Sequence, residues 1–287
     1  MSTTIEWTEE TWNPTTGCDR ISAGCDNCYA LTLAKRLKGM GSAKYQTDGD
    51  PRTSGPGFGV AVHADALPIP LRWREPRTVF VNSMSDLFHA KVPREFVARV
   101  WNVMSRTPQH TYQILTKRPE RMARIVSELP DGLWELPLPN VWLGTSVESD
   151  DHVRRADALR ATPAAVRFIS AEPLLGPLPS LDLTGIDWLI AGGESGSGAR
   201  PMHPDWVRDL RDRCTEAGTA FFFKQWGQYR PGGDVAQPAS WISPDGRPCS
   251  ADYPDATAMV RVGKKAAGRV LDGRTWDQYP TRTPQAA

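Results

Sequence analysis

The chain has 287 residues, of which 40% are hydrophobic and 23% are charged, and its net charge is +1. This length suffices for one barrel-type domain or two small domains around a large apolar core. The sequence has neither a signal-peptide pattern nor an apolar run of the roughly 18 residues that span a membrane. It therefore predicts a cytoplasmic protein with no membrane partner, in which clustered cysteines bind metal more often than they form disulfides. A charge this close to zero neither requires nor excludes a nucleic-acid partner.

Short apolar segments alternate with amphipathic segments along the middle of the chain. Strands are predicted around residues 4–13 and over 77–88, 111–118, 140–149, 166–175, 186–195 and 220–227. Helices are predicted between them, over 94–106, 119–129, 150–161 and 203–218. In the first of these helices, one face collects the apolar residues Phe96, Val97, Val100, Trp101 and Met104.

This alternation predicts a parallel sheet covered by helices, because buried parallel strands read as continuous apolar runs joined by helical crossovers. The fold class is therefore α/β. A closed or partly open (β/α) barrel over residues 1–228 is the first interpretation, and a doubly wound open sheet is the second. Residues 41–76, rich in glycine and proline, are predicted to be an insertion. Residues 229–287 are predicted to form a small β-rich appendage with hairpin turns at Asp-Gly pairs.

Charged and polar residues are concentrated at the carboxyl end of each predicted strand. In chain order they include Asp86, Lys117, Arg118, Ser146, Glu148, Glu172, Glu194 and Lys224. Active sites of parallel α/β proteins assemble at this edge from several strands, so these residues are candidates for a shared site. The alternative is that the strands end in ordinary polar turns or ion pairs, such as Lys117 with Glu148 or Glu172.

The segment 17–28 places Cys18, Cys25 and Cys28 within eleven positions of a chain that has five cysteines. Three thiolates suit a [4Fe–4S] cluster that keeps one iron free for another ligand. They also suit zinc, with a histidine, Cys214 or water as the fourth ligand, although neither the histidines nor Cys214 lie at the usual short spacing. In a third interpretation the cysteines bind no metal, which a Cys-x-x-Cys pair in a glycine-bounded loop does not favour.

Such a loop after the first strand of a (β/α) barrel, with Tyr29 beside its last cysteine, resembles the radical S-adenosylmethionine (radical SAM) enzymes. Their loop usually reads C-x3-C-x-aromatic-C. This chain reads C-x6-C-x2-C and has Asn27 where the aromatic residue usually stands. Their Gly-Gly-Glu motif follows the second strand, whereas GGES at 192–195 lies on a much later strand and is not assigned that role.

Eight sequence blocks carry a second resemblance over nearly the whole chain. In order, they are WNPTTGC…GCDNCYA, FVNSMSDLFH, LTKRPERM, NVWLGTSVE, FISAEPLLGP, GGESGSGARPM, FFFKQWG and GKKAAGRVLDGRTWDQYP. Together they are similar to an uncharacterised bacteriophage protein family named for gene products thirty-seven and sixty-eight, which also occurs in bacterial genomes. That family is usually placed near the radical SAM proteins because of the same cysteine loop and barrel.

The resemblance to radical SAM enzymes implies a [4Fe–4S] cluster on Cys18, Cys25 and Cys28, and cleavage of S-adenosylmethionine by the reduced cluster. Under this interpretation a cation binds the methionine carboxylate, acids bind its amino group and polar groups bind the ribose. The candidates for binding the carboxylate are Lys117 or Arg118. The candidates for the amino group are Glu172 and Glu194, and those for the ribose are Ser146 and Glu148. Lys224 and Asp86 are the catalytic candidates on the substrate side.

The implied partners are a reductant for the cluster and, from the phage resemblance, a nucleotide or nucleic-acid substrate. One alternative is a zinc-bearing barrel protein that binds or hydrolyses nucleic acid without radical chemistry. Another is a binding module whose cysteine loop only staples the N-terminus. The basic segments 117–121 and 263–269 could contact phosphates, although each is typical of a solvated charged surface. The sequence leaves the substrate, the reaction outcome and the oligomeric state open.

Overall fold

The computed structural model describes residues 3, 5–129, 136–232 and 239–281. Within them, the helices are α1 (Tyr29–Gly39), α2 (Arg94–Ser105), α3 (Pro119–Ser127), α4 (Arg155–Arg160), α5 (Pro204–Ala217) and α6 (Lys264–Ala267). The strands are β1 (Glu10–Trp12), β2 (Thr15–Thr16), β3 (Ala61–Val62), β4 (Thr78–Val81), β5 (Thr111–Thr116), β6 (Val141–Ser146), β7 (Val166–Ala171), β8 (Trp188–Gly192), β9 (Ala220–Gln225), β10 (Tyr229–Pro231), β11 (Ala239–Ile242) and β12 (Thr257–Arg261).

One sheet contains seven of these strands, in the order β1-β4-β5-β6-β7-β8-β9. The pairs β1–β4, β4–β5, β5–β6, β7–β8 and β8–β9 are all parallel. The order follows the chain, as it does when right-handed crossovers join neighbouring parallel strands. The predicted α/β class is confirmed, with the strand order of a partial (β/α) barrel. A doubly wound sheet, whose strand order reverses at a switch point, does not match.

The burial of the elements explains their sequence patterns. All six residues of β6 and all five of β8 are buried, as expected for strands covered on both faces. The predicted apolar face of α2 is confirmed, because its five residues named above are all buried. Strand β4 is shorter than predicted and stops at Val81, since Asn82 follows in a left-handed conformation with φ of 65°. Asparagine tolerates that conformation better than most residues.

The chain divides into two compact units. Unit 1 comprises Met1–Ser146 and Arg154–Ala165, and unit 2 comprises Val147–Val153 and Val166–Ala287. In unit 1, the glycine- and proline-rich segment 41–76 contains short 3-10 turns and β3, which pairs antiparallel with β2. In unit 2, β10, β12 and β11 form a three-stranded antiparallel sheet. The sequence-based division of the chain at residue 228 stays a prediction.

A segment near the carboxyl end of unit 2 covers the free edge of β9. The backbone N–H of Phe223 donates to the carbonyl of Trp276 over 2.9 Å, and the N–H of Gln278 donates to the carbonyl of Phe221. The ring of Tyr279 lies 5.1 Å from that of Trp188 and 5.6 Å from that of Phe222. An edge strand exposes unpaired backbone groups that can recruit other chains, so this segment protects the sheet.

The helices in the described part of the chain are all too short or too polar to cross a membrane.

The Tyr279→Ala substitution is expected to lower the free energy of unfolding by about 1–2 kcal/mol, because aromatic pairs add to simple area burial. Tyr253→Ala is the matched control, since the two side chains are 45% and 48% exposed and only Tyr279 stacks on aromatic rings among the described residues. Urea unfolding measures both variants. Equal losses would show that the covering segment adds little to stability.

Candidate functional site

The cysteine loop, residues 17–28, begins where the chain leaves β2 and is fastened to the segment after β4. The N–H of Gly17 donates to the carbonyl of Met84 over 3.0 Å, and the hydroxyls of Thr15 and Ser85 are 2.6 Å apart. Gly17 has φ of 83°, and a Cβ built on it would lie 2.1 Å from the carbonyl oxygen of Gly59. Only glycine fits there, so the start of the loop is fixed by backbone packing.

The three cysteines of the loop are free thiols that are partly accessible. A 3-10 turn over Ala23–Cys25 carries the middle cysteine, and Cys28 is the N-cap of α1. Cys18 and Cys28 pack against the same apolar cluster, which is formed by Ala30, Ala34, Tyr45, Phe58 and Met84. A helix N-terminus favours negative charge, so the position of Cys28 partly offsets the cost of forming its thiolate in a buried place.

Asp86, one of the two catalytic candidates, is a buried acceptor at the carboxyl ends of β4 and β5. Its carboxylate accepts from the Thr116 hydroxyl at 2.7 and 2.9 Å and from the N–H of Phe88 at 2.9 Å. The N–H of Lys117 donates to it over 3.3 Å. Nη1 of Arg118 completes the set at 2.9 Å, in an ion pair whose side chains are 15% and 7% exposed. The geometry makes Asp86 a fixed counter-ion.

Arg118 joins this carboxylate to the cysteine loop. Its Nη1 also donates to Sγ of Cys18 at 3.5 Å, and its Nη2 donates to the carbonyl of Asp19 at 3.1 Å. The planar guanidinium presents several donors in a rigid fork and suits such bridging. The sequence had marked Arg118 only as a ligand for a carboxylate of a bound cofactor, and its contact with a cysteine is new.

Burial controls the protonation of the thiols. It raises the pKa of Cys18 to about 12, aided by the negative charge of Asp86 and opposed by the Arg118 guanidinium. Burial also raises the pKa of Cys28. Both thiols are therefore protonated at neutral pH. Binding of a metal to them would release protons, because the thiolate is the ligand.

Asp19 holds the loop from the other side. Its carboxylate accepts from the hydroxyls of Thr53 and Ser54 at 2.7 and 3.1 Å and from Nε2 of His89 at 3.0 Å. Nδ1 of His89 accepts from the N–H of Lys91, so Nε2 carries the proton. Although burial works against it, these donors and the Lys91 charge lower the pKa of Asp19. The sequence offered no signal for Asp19 beyond its place beside Cys18.

In unit 2, Glu172 and Lys224 form an ion pair across the strand that lies between them. Nζ of Lys224 is 2.7 and 2.9 Å from the two carboxylate oxygens, and Nε2 of Gln225 donates to one of them at 3.3 Å. Gly192, at the end of β8, allows this contact. A Cβ there would lie 3.4 Å from Cβ of Lys224 and 3.5 Å from Cγ of Glu172. A longer side chain would occupy the space in which the two side chains meet.

Glu194 is paired with Arg200, which the sequence did not single out. Nε and Nη2 of Arg200 donate to the two carboxylate oxygens at 2.8 and 2.6 Å, and its backbone N–H donates at 2.9 Å. The neighbouring residues Gly193 and Gly227 allow two segments of backbone to pass in close contact. A Cβ on Gly193 would lie 2.0 Å from the carbonyl of Trp226, and one on Gly227 would lie 2.2 Å from that of Glu194. Close packing therefore explains both glycines.

The two candidates near the end of β6 are both buried. Ser146 is 3% exposed and Glu148 is 1% exposed. In unit 1, the backbone carbonyl of Ser146 accepts from Nη1 of Arg155 at 2.9 Å. In unit 2, the backbone carbonyl of Glu148 accepts from the N–H of Leu175 at 2.8 Å.

The structure thus gathers the predicted residues into separate groups. Cys18, Asp86 and Arg118 form one network in unit 1. Glu172 with Lys224 and Glu194 with Arg200 are ion pairs in unit 2. Among the described residues, no three His, Cys, Asp or Glu side chains are grouped so as to hold a single metal ion.

Comparison with known proteins identifies one family and one group of solved structures. The profile of a family described as "Protein of unknown function (DUF5131)" matches residues 2–280. No curated protein matches the chain. The solved structure of a spore photoproduct lyase mutant, with serine in place of one cysteine, is similar with 13% identity and a TM-score of 0.43, covering 91% of this chain and 71% of that one. "Spore photoproduct lyase complexed with dinucleoside spore photoproduct" is similar with 13% identity and a TM-score of 0.40, covering 86% and 67%.

The Arg118→Met substitution is expected to lower the free energy of unfolding by about 3 kcal/mol, because it leaves Asp86 buried without its cation. Arg247→Met is the control, because the Arg247 side chain is 83% exposed and its pair with Asp245 lies at the surface. That change should cost less than about 1 kcal/mol. Chemical unfolding of both variants measures the difference, and a loss no larger than the control's would contradict the assigned role.

The Gly192→Leu substitution is expected to separate Glu172 from Lys224 and to cost about 3 kcal/mol of stability. Gly192→Ala is the matched control, because a Cβ there makes only ordinary contacts of 3.4 and 3.5 Å and should change stability by less than about 1 kcal/mol. Thermal unfolding compares the two variants. Similar losses from both would mean that Gly192 is needed for its backbone and not for the ion pair.

Proposed function

The chain belongs to the DUF5131 family, and we propose that it is a radical SAM-type enzyme whose cysteine loop carries a [4Fe–4S] cluster. The observation that carries the proposal is the loop itself. Three free thiols lie on one short segment, which backbone contacts and a buried Arg118–Asp86 pair fasten to the carboxyl ends of β4 and β5. That edge is where parallel α/β proteins assemble their active sites.

The donor set fits such a cluster better than it fits a single ion. A [4Fe–4S] cluster takes its protein ligands on separate irons, so the ligating thiolates need not converge on one point. No group of three ligands in the described residues converges on one point, as a structural zinc site would require. The Cys25 thiol interacts electrostatically with both Cys18 and Cys28. This supports one shared site for the three cysteines.

When bound, a reduced cluster would supply the electron that cleaves S-adenosylmethionine. The residues of the chain have the task of stabilising the thiolates of Cys18 and Cys28, which burial disfavours. Arg118 places a guanidinium 3.5 Å from Sγ of Cys18, and the N-terminus of α1 lies beside Cys28. Asp86 holds Arg118 in position through an ion pair of 2.9 Å. We therefore assign Asp86 a positioning role in addition to the catalytic one first predicted.

The binding of S-adenosylmethionine is proposed from the chemistry of the remaining residues. Lys117 is the candidate for the carboxylate, and Ser146 and Glu148 are the candidates for the ribose hydroxyls. Glu172 and Glu194 are the candidates for the amino group. Each of these last two carboxylates already has a cation, Lys224 and Arg200 respectively. An incoming amino group would share or displace that cation.

The proposed substrate is a nucleotide or a nucleic acid, and Lys224 is proposed to act on the substrate side. The basic segments 117–121 and 263–269 support this class, because lysine and arginine bind phosphates. Lys264 and Lys265 in the second segment are exposed. A reductant for the cluster is the other proposed partner.

Anaerobic reconstitution with iron and sulfide tests the proposal. The native chain is expected to bind roughly four irons, while Cys18→Ser, Cys25→Ser and Cys28→Ser each lose most of them. Cys249→Ser is the control, since this cysteine is also partly accessible but lies outside the loop. One zinc and no iron per chain would overturn the cluster and favour the zinc-bearing alternative.

A second measurement tests separately whether the cluster cleaves S-adenosylmethionine. The reconstituted chain, reduced with dithionite, is expected to convert S-adenosylmethionine into 5′-deoxyadenosine and methionine, as chromatography would show. A full iron complement without this cleavage would retain the cluster and refute the radical chemistry.

A further inference from the structure

Helix α1, which follows the cysteine loop, exposes an apolar stripe to solvent. Tyr29, Leu33 and Met40, at its start, middle and C-terminal end, are 56%, 36% and 69% exposed. Their spacing places them along one side of a helix. The adjoining side of the helix packs inward, because Ala30 and Ala34 are buried. Large apolar side chains that share one exposed face mark a site for another molecule.

The same face carries positive charge that nothing in the described chain neutralises. Arg36 falls between Leu33 and Met40 on the stripe, and Lys35 is exposed on another side of the same helix. Neither residue forms an ion pair with any described residue, whereas the nearby Lys38 is paired with Asp48. Residues 20–40 contain four basic residues and one acidic residue, in a chain whose net charge is only +1. The charge is therefore local and favours an acidic partner.

The stripe is continuous with the cysteine loop. Cys28 caps α1, and Tyr29 is the first residue of that helix. Ile21, within the loop, is 46% exposed and adds another apolar side chain. A molecule seated on this face would lie beside the residues proposed to hold the cluster.

We propose that the exposed face of α1 is the docking surface of an acidic, one-electron carrier protein that reduces the cluster. The inference rests on the proposed function. In the step, the reduced carrier loses one electron and the cluster gains it, with no bond formed or broken and no proton transferred. The partner is a protein because Ile21, Leu33 and Met40 offer apolar surface that phosphates cannot match. Tyrosine, methionine and arginine are also enriched in protein interfaces.

The test compares Leu33→Asp and Arg36→Glu with Lys265→Glu, a charge-reversal control at an exposed residue of unit 2. Purified flavodoxin is the probe for the acidic carrier. Calorimetry measures its Kd for the iron-free chain, and absorbance measures its rate of cluster reduction. Both variants are expected to weaken binding and slow reduction by about ten-fold at low salt. Lys265→Glu should match the native chain in both.

Reduction by dithionite should stay at the native rate in every variant, because a small reductant needs no docking surface. Unchanged flavodoxin binding and reduction in both α1 variants would overturn the proposal. Loss of binding to a single-stranded oligonucleotide, with flavodoxin unaffected, would assign the face to nucleic acid and also overturn it. If the chain binds no iron, both the proposed function and the proposed carrier surface are wrong. Measurement of the iron content distinguishes this outcome from failure of the docking surface alone.

Discussion

The ion pair between Arg118 and Asp86 is the contact on which the candidate site depends. It is nearly closed to solvent, and a buried charge without its partner is strongly destabilising. The Thr116 hydroxyl and two backbone N–H groups donate the other hydrogen bonds that the buried carboxylate of Asp86 accepts. It then presents the guanidinium to Cys18 and to the backbone of Asp19. The loop that carries the thiols is therefore held by the ends of two strands as well as by its own residues Gly17 and Asp19.

In unit 2, glycines without side chains determine the arrangement of the strand ends as much as the charged residues do. Gly192 leaves room for Glu172 to reach Lys224, and Gly193 and Gly227 let two segments of backbone pass in contact. The result is a pair of neutralised carboxylates at strand ends whose cations, Lys224 and Arg200, differ in geometry. The ammonium of Lys224 is a compact point charge, whereas Arg200 grips both oxygens of Glu194 in a fork. Glu172 is therefore the more easily rearranged of the two.

The period of the apolar residues was enough to predict the seven strands, α2 and the parallel order, because these follow from local burial. It was also enough to select Asp86, Arg118, Glu172 and Lys224 as strand-end candidates, while the spacing of the cysteines selected Cys18. The side chains that pair with these candidates could not be predicted from the apolar period, because pairing joins residues that are far apart in the sequence. Arg118 and Cys18 are separated by 100 positions, and nothing local marks Asp19 or Arg200. The length of β4 also escaped prediction, because a single left-handed residue, Asn82, ends it.

The segment that covers the edge of β9 has a consequence for synthesis of the protein. Strand β9 ends at Gln225, and the residues that pair with it and stack on it are Trp276–Tyr279. A ribosome therefore exposes the edge strand about fifty residues before it makes the cover. During that interval the aromatic run Phe221–Phe223 has an open edge that other nascent chains can pair with. We therefore expect the need for chaperones, and the yield of folded protein on expression, to depend on this late step of translation.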